Sequence, residues 1–210
     1  MDKWKELDKF YTHLLSEVYH EPDSFLTTEV VDKMLPGFLT PLPKDARILD
    51  LGCGSGYALK KMREAGYNNV EGLTLDNDDK EIVEKEGFKV HQVDFNFTGW
   101  VNEWDAVWMR HVLEHSPFPF FTIYQLNKMI KQGGLLYIEM PHPGTERNLE
   151  HWTNHYSIMG SQMYNSLFKR AGFKLLQENT IGMDLNTTDG TTFKEEYDWY
   201  VYQKVADVNL

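Results

Sequence analysis

Apolar residues recur along the chain with two different periods, which predicts a mixture of helices and strands. Residues 3–19 and 27–35 show helical spacing, and the second of these stretches is predicted to end at Pro36-Gly37. From residue 44 onward, short apolar runs alternate with longer amphipathic stretches. The short runs predict strands at residues 47–51, 70–75, 88–93, 104–109, 134–140, 173–178 and 197–204. The longer stretches predict a helix that ends at Ala65 and helices at residues 77–86, 118–131 and 157–171.

Repeated strand–helix units predict an α/β fold with a mostly parallel sheet and helices on both faces. The last two of the seven strands have no helix between them, so we expect them to pair antiparallel. A length of 210 residues suits one domain. We therefore predict a doubly wound, seven-stranded domain over residues 1–210. Residues 1–43 would form a helical cap and linker, and residues 44–210 the Rossmann-like core.

Composition and charge narrow the range of partners. Hydrophobic residues make up 41% of the chain, which is enough for a globular core. The formal net charge is −11, and an acidic protein repels phosphate backbones, so a nucleic-acid partner is not expected. The densest basic run, Lys60, Lys61 and Arg63, alternates with acidic residues along a predicted helix and is typical of a solvated face.

Cysteine content and terminal sequence indicate a cellular compartment. Cys53 is the only cysteine, so neither an internal disulfide nor a cysteine zinc site is expected. The first residues lack the apolar run of a signal peptide, and no stretch approaches the roughly 20 apolar residues that span a bilayer. We expect a soluble cytoplasmic protein without a membrane partner.

The strongest motif is a glycine-rich turn between the first core strand and the following helix, with the sequence Asp50-Leu51-Gly52-Cys53-Gly54-Ser55-Gly56. Glycines permit positive φ and let a ligand approach the backbone, and ligands bind at the carboxyl ends of parallel strands. The spacing differs from the G-x-G-x-x-G of dinucleotide-binding proteins, because position 57 is tyrosine. A carboxylate two residues before the first glycine suits a cationic ligand group, and S-adenosylmethionine carries an ammonium and a sulfonium.

Four stretches in order resemble the motifs of class I (Rossmann-like) S-adenosylmethionine-dependent methyltransferases, in their small-molecule and saccharide branch. They are residues 48–56, 70–76, 104–115 and 126–141. The resemblance covers residues 44–178. It implies that S-adenosyl-L-methionine is the cofactor and that the activity is methylation of an oxygen or nitrogen of a small molecule or glycan.

The resemblance also implies a set of cofactor-binding residues at the carboxyl ends of four strands. They are Asp50, Gly52, Cys53, Gly54, Gly56, Thr74, Leu75, Asp76, Asp94, Phe95, Arg110 and His111. The family's ribose-binding acidic residue aligns with Thr74 here, so Asp76, Asp78 or Asp79 would supply that carboxylate, and we favour Thr74 with Asp76. The same acidic run also suits a helix N-cap. By resemblance Asp94 accepts a hydrogen bond from the adenine amino group, although an aspartate that ends a strand is often a loop cap.

The segment after the fourth strand, His111-Val112-Leu113-Glu114-His115, also fits the H-x-x-E-H pattern of some zinc proteases. Helical spacing would place His111 and His115 on one face, as two zinc ligands require. Because the segment follows a strand at the predicted cofactor pocket, we expect no metal. We predict instead that Arg110 and His111 border the methionine part of the cofactor, and that Glu114 and His115 orient the helix or contact the acceptor.

A second group of candidates follows the fifth strand. By resemblance to methyltransferases of sugars, polysaccharide ends or polyphenols, this region forms the acceptor pocket. The candidates are His142, His151, Trp152, His155 and Tyr156. The alternative is a loop that packs its aromatic residues and caps the next helix with Ser157. As catalytic residues we predict His111, Glu114, His115 and His155, since a hydroxyl acceptor needs a base and an unperturbed imidazole has a pKa near ~6.5.

Two functions remain open. The first is a methyltransferase that acts on a small-molecule or saccharide acceptor; the chain lacks the Asn/Asp-Pro-Pro-aromatic run with which relatives methylate amide or nucleobase nitrogens. The second is a catalytically idle S-adenosylmethionine-binding protein that acts as a regulator or partner. An open channel from the cofactor loop to the histidines would favour the enzyme, and a plugged channel the idle protein. The sequence specifies neither the acceptor, nor the choice of oxygen or nitrogen, nor the oligomeric state.

Overall fold

A computed structural model describes residues 3–18, 20, 24–145, 154–186 and 192–208. The helices are α1 Lys3–Leu15, α2 Phe25–Leu39, α3 Tyr57–Glu64, α4 Asn77–Lys85, α5 Pro119–Met129 and α6 Ser161–Arg170. The strands are β1 Ile48–Leu51, β2 Val70–Thr74, β3 Lys89–Gln92, β4 Trp104–Arg110, β5 Ile130–Pro141, β6 Phe173–Asn186 and β7 Thr192–Lys204. Short 3-10 helices cover Phe95–Phe97 and Leu113–His115. Within the described ranges, no helix has the length and apolarity needed to cross a membrane.

The seven strands form one sheet in the order β3-β2-β1-β4-β5-β7-β6. Neighbouring strands from β3 through β5 pair in parallel, and β7 pairs antiparallel with both β5 and β6. The predicted mostly parallel sheet with an antiparallel last strand is confirmed. The chain order reverses between β1 and β4, and in open α/β sheets the ligand crevice lies at the carboxyl ends of the strands at such a point.

Alternate residues of the central strands point to opposite faces, and each face is buried by a different set of helices. On one face, Leu49 and Val107 pack in a cluster with residues of α5 and α6, including Ile123 and Phe168. On the other face lies a second cluster of strand residues and residues of α2 and α3. Its members include Ile48, Ala106, Trp108, Leu35 and Met62. The expected helices on both faces are therefore confirmed.

Several predicted boundaries are wrong, and those of α2, α6 and the last two strands have a clear physical reason. Helix α2 continues through Pro36 to Leu39, where Phe38 and Leu39 are buried, so their packing outweighs the hydrogen bond that proline cannot donate. Helix α6 begins at Ser161 after Gly160, because Ser157 donates its hydroxyl to the carbonyl of Ser116 instead of capping the helix. Strands β6 and β7 extend into a long hairpin, since their pairing continues from Phe173–Lys204 to Asn186–Thr192.

Candidate functional site

A cavity of about 530 Å³ opens at the carboxyl ends of β1, β2 and β4, where the strand order reverses. Its floor includes residues of the β1–α3 loop and of the strand ends, and helix α1 contributes Tyr11 and Leu14 to the lining. Tyr11 packs edge-on against Phe97 at a ring separation of 5.3 Å. The amino-terminal helix therefore covers part of the crevice that the sheet topology creates.

The three glycines of the β1–α3 loop have positive φ angles, of +78° at Gly52, +48° at Gly54 and +83° at Gly56. A Cβ at Gly52 would lie 2.3 Å from Cγ2 of Val112, and a Cβ at Gly56 would lie 2.9 Å from Cγ2 of Val83. A Cβ at Gly54 would meet no atom of the described residues within 4 Å, and Gly54 lines the cavity. Packing therefore excludes side chains at the two outer glycines, whereas the middle glycine keeps the backbone open to the cavity.

Asp50 lies at the floor of this cavity and is only 3% exposed. The loop beside it is tied to β2, because the N–H groups of Gly52 and Cys53 both donate to the carbonyl of Leu73 at 2.9 Å. Burial, followed by the charge of Asp50, raises the pKa of the Cys53 thiol, which stays protonated. A buried carboxylate beside an open glycine backbone fits the ammonium-bearing end of S-adenosylmethionine.

At the end of β2, Asp76 and Asp79 lie in different surroundings. Asp76 caps α4, since its Oδ1 accepts from the N–H of Asp79 at 2.9 Å. Thr74, Leu75 and Asp79 line the cavity. Burial raises the pKa of Asp79, while its 2.6 Å hydrogen bond with His20 opposes that rise. Thr74 and Asp79 therefore lie together at the cavity. Asp76 is the N-cap of α4, which is the alternative that the sequence offered for this acidic run.

At the end of β3, Asp94 and Phe95 both line the cavity. Asp94 Oδ1 accepts from the backbone N–H of Asn96 at 2.9 Å and from its side-chain amide at 3.0 Å. Asp94 is therefore a loop cap that also lines the cavity, and its predicted hydrogen bond with adenine stays a prediction.

Arg110 ends β4 in a buried ion pair with Glu139 of β5. The Nε and Nη2 atoms of Arg110 donate to Glu139 Oε1 at 2.9 and 2.6 Å, and the Tyr137 hydroxyl donates to Oε2 at 2.7 Å. Burial works to raise the pKa of Glu139, but the charge of Arg110 and the hydrogen bond with His111 outweigh it and lower the pKa to about 2. Glu139 was not among the residues predicted for the site, and its signal in the sequence is a single carboxylate inside an apolar strand run.

His111 is the first residue after β4 and has a positive φ of 50°, which is uncommon for a residue other than glycine. Its Nδ1 lies 3.1 Å from Glu114 Oε1, and its Nε2 lies 3.4 Å from Glu139 Oε1. Burial would lower the pKa of His111, but the hydrogen bonds with Glu114 and Glu139 raise it to about 9. The imidazole is therefore protonated near pH 7, and in this form it has no lone pair with which to act as a general base.

The segment after β4 is a bend followed by a single 3-10 turn, so the α-helical face expected to carry both His111 and His115 does not form. His111 faces Glu139, whereas the ring of His115 lies 4.9 Å from that of His155. Nδ1 of His115 hydrogen-bonds to the carbonyl of Asn154 at 3.2 Å. Burial lowers the pKa of His155 to about 4, so this imidazole is neutral near pH 7.

The remaining acceptor-pocket candidates divide into three groups. Tyr156 lines the cavity, and its hydroxyl donates to Oε2 of Glu17, just beyond α1, at 2.5 Å. His142 lies in a separate depression on the surface. His151 and Trp152 lie outside the described residues. The helical spacing of the first residues predicted α1 itself but gave no indication that it lines the cavity.

A family model described as a methyltransferase domain matches residues 23–178. The tRNA U34 carboxymethyltransferase of Tolumonas auensis is 35% identical over 116 residues, which cover 51% of this chain and 35% of that protein. The ubiquinone biosynthesis O-methyltransferase of Erwinia tasmaniensis is 24% identical over 159 residues, which cover 72% of this chain and 63% of that protein. The 27-O-demethylrifamycin SV methyltransferase of Amycolatopsis mediterranei is 27% identical over 162 residues, covering 69% and 59%. The chain thus spans less than two thirds of the length of each of these relatives.

Solved structures share the fold. A SAM-dependent methyltransferase from Archaeoglobus fulgidus superposes with a TM-score of 0.66 at 18% identity, covering 84% of this chain and 94% of that one. The [4+2]-cyclase SpnF superposes with a TM-score of 0.67 at 16% identity, and the match covers 92% of this chain and 86% of that one. Because a cyclase shares the architecture, the fold by itself does not specify methyl transfer.

Proposed function

Since the chain belongs to the methyltransferase domain family, we propose that it transfers the methyl group of S-adenosylmethionine to an oxygen or nitrogen of a small molecule or glycan. The observation that carries this proposal is the continuity of the cavity. A single cavity is lined both by Asp50 and Gly54 of the glycine loop and by His111, His115 and His155. A protein that only bound the cofactor would have no need of this connection, so the idle regulator is the weaker alternative.

In this proposal the cofactor lies along the carboxyl ends of β1, β2 and β3. Asp50 faces the ammonium group, and the backbone at Gly54 lies against the cofactor. Thr74 and Asp79 bind the ribose, and Asp94 binds the adenine amino group. The cofactor supplies an electrophilic methyl group on a sulfonium, and the described residues hold that group beside Arg110 and His111.

Methyl transfer needs alignment and removal of water more than acid–base chemistry. The lone pair of the acceptor atom forms a bond to the methyl carbon while the carbon–sulfur bond breaks and its electrons remain on sulfur. The products are the methylated acceptor and S-adenosylhomocysteine, and the acceptor also loses a proton. Burial lowers the pKa of His155 to about 4, so its neutral imidazole can accept a hydrogen bond from the acceptor group but is a weak base, whereas the protonated His111 can only donate a hydrogen bond; the proton passes to solvent.

A small acceptor is favoured by charge and by the lining. The net charge of −11 opposes association with a polyanion. Tyr11, Leu14, Phe95 and Tyr156 give the cavity aromatic and aliphatic walls, which suit a ring-containing acceptor. The tRNA U34 carboxymethyltransferases match this chain over about a third to a half of their length, so their substrate does not transfer directly.

We further propose that residues 1–210 fold as one unit in which residues 1–43 cap the core. A shared buried cluster supports this arrangement. Val31 and Leu35 of α2 are buried in one cluster with Leu59 and Met62 of α3.

The test is a screen for acceptors with S-adenosylhomocysteine formation as the readout. Purified protein is incubated with S-adenosylmethionine and with phenols, catechols, sugars, nucleotide sugars or tRNA. We expect turnover with a small acceptor, and we expect Asp50→Asn to lose cofactor binding while the exposed control Asp45→Asn retains it. Turnover with tRNA alone would refute the acceptor class. Binding of the cofactor without any turnover across the screen would favour the idle regulator.

A further inference from the structure

Three potential metal ligands meet in the wall of the cavity. One ligand atom each from Glu114, His115 and His155 lies within 4.8 Å of the other two. All three residues line the cavity. A divalent ion at about 2.1 Å from its ligands places opposite ligand atoms at most about 4.2 Å apart, so small side-chain movements would close the site. Two imidazoles and one carboxylate form a ligand set typical of catalytic zinc and of non-haem iron.

The carboxylate of Glu114 has one oxygen that the described protein does not satisfy. The side chain is completely buried, and Oε1 is occupied by the hydrogen bond with His111. Oε2 has no hydrogen-bond partner among the described residues. A buried acceptor without a partner is costly, and a bound cation is one of the few ways to satisfy it.

Hydrogen bonds from neighbouring groups hold these ligands in place, as is usual for the ligands of a metal ion. Nδ1 of His115 lies 3.2 Å from the carbonyl oxygen of Asn154, which can only accept, so Nδ1 carries the proton and Nε2 keeps its lone pair. The carbonyl of Glu114 accepts from the N–H groups of Tyr156 at 2.6 Å and of Ser157 at 3.0 Å. These two hydrogen bonds hold the loop that carries His155 against the segment that carries the other two ligands.

We propose that Glu114, His115 and His155 bind a divalent transition-metal ion whose remaining coordination positions face the cavity. This departs from the expectation of no metal drawn from the sequence, which considered His111 and His115 as the pair. The structure separates that pair and supplies His155 from a loop 40 residues further on. Resting on the proposed function, the ion would bind an oxygen of the acceptor and lower the pKa of its hydroxyl. His155 then serves as a ligand of the ion, and no side chain is needed as a general base.

A second cluster, formed by His20, Asp76 and Asp79, also brings three ligand atoms within 4.8 Å of one another. Its polar atoms already have partners, because Asp76 caps α4 and Asp79 hydrogen-bonds to His20 and Thr74. It therefore provides an internal control, in which one histidine and two carboxylates come equally close to one another at a different place in the fold.

The experiment titrates chelator-treated, dialysed protein with Co²⁺, Zn²⁺ or Mn²⁺ by calorimetry, and follows Co²⁺ also by visible absorption. We expect one ion per chain, with affinity reduced at least about tenfold in His115→Ala, His155→Ala and Glu114→Gln, and unchanged in His20→Ala. His155→Ala is the most informative variant, since His155 is only partly buried and lies in a loop. Unchanged affinity in the three variants, absence of saturable binding, or loss of binding in His20→Ala alone would overturn the site.

Measurements on the same samples separate this inference from the proposed function. Stoichiometric metal binding at these three residues in a protein that methylates nothing would leave the site standing and refute the proposed function. Conversely, turnover that is unchanged after complete removal of metal would keep the methyltransferase and refute the role of the ion.

Discussion

Alanine replacements in the glycine loop can separate the role of packing from the role of ligand binding. At Gly54 a Cβ meets none of the described residues, so the cost is that of a side chain at φ +48°, about 1–2 kcal/mol for a left-handed residue. At Gly52 the same cost is joined by a Cβ placed 2.3 Å from Val112 Cγ2. Overpacking of that kind typically costs 1–3 kcal/mol more, so we expect a total of about 2–5 kcal/mol for Gly52→Ala.

Cofactor affinity should rank these variants in the opposite order. The Cβ of Gly54→Ala enters the cavity where the cofactor is proposed to lie, so we expect S-adenosylmethionine to bind at least about tenfold more weakly, a loss of about 1.4 kcal/mol. Urea unfolding of the ligand-free protein gives the stability, and calorimetric titration gives the affinity. The Gly54 variant should therefore be the more stable of the two and the weaker binder.

A double variant tests the assigned cause of the Gly52 effect. Val112→Ala removes the atom that the Cβ of Gly52→Ala would contact. The double variant should therefore regain the stability that Gly52→Ala loses through overpacking, and still lack the stability that it loses through the positive φ. Val112→Ala alone is the control. The reasoning is refuted if Gly54→Ala binds the cofactor as the unmodified protein does, or if Val112→Ala fails to relieve Gly52→Ala.

Three further predictions follow from buried groups. Glu139→Gln should destabilise the protein by about 3–5 kcal/mol in urea unfolding, because it leaves the charge of the buried Arg110 without its partner. The control Glu103→Gln, which removes the partner of the partly exposed Arg47, should cost less than about 1 kcal/mol. Equal losses of stability in the two variants would contradict this prediction. His111 has a folded pKa of about 9, above its unfolded value of about 6.5, so its contribution is complete below pH 6.5 and is lost as the pH rises to 9. We expect about 1–2 kcal/mol after allowing for a side chain that is 32% exposed, and a pH profile of stability that is unchanged in His111→Asn would refute it. Cys53, buried and with a raised pKa, should react with a thiol reagent at pH 8 only as fast as the protein opens, and rapid reaction of the native protein would be inconsistent with its position.

The order of helices and strands could be predicted from the sequence because it depends on local periodicity. Apolar runs such as residues 104–109 are buried on both faces of the sheet, and their length with flanking polar residues identifies them. The glycine loop is local in the same sense, since φ requirements act on single residues. The end of α2 was predicted wrongly because tertiary burial of Phe38 and Leu39 outweighs the local signal of Pro36-Gly37.

The sequence by itself determined the class of fold, the position of the crevice and the loop from Asp50 to Gly56 that opens into it. Only the tertiary structure decided which polar groups meet there. Asp79 faces the cavity in place of Asp76, and Glu139 reaches Arg110 across neighbouring strands. His155 meets His115 because two backbone hydrogen bonds to Glu114 place its loop. These contacts join residues far apart in the chain, and their geometry depends on strand register and loop closure, which local periodicity does not encode.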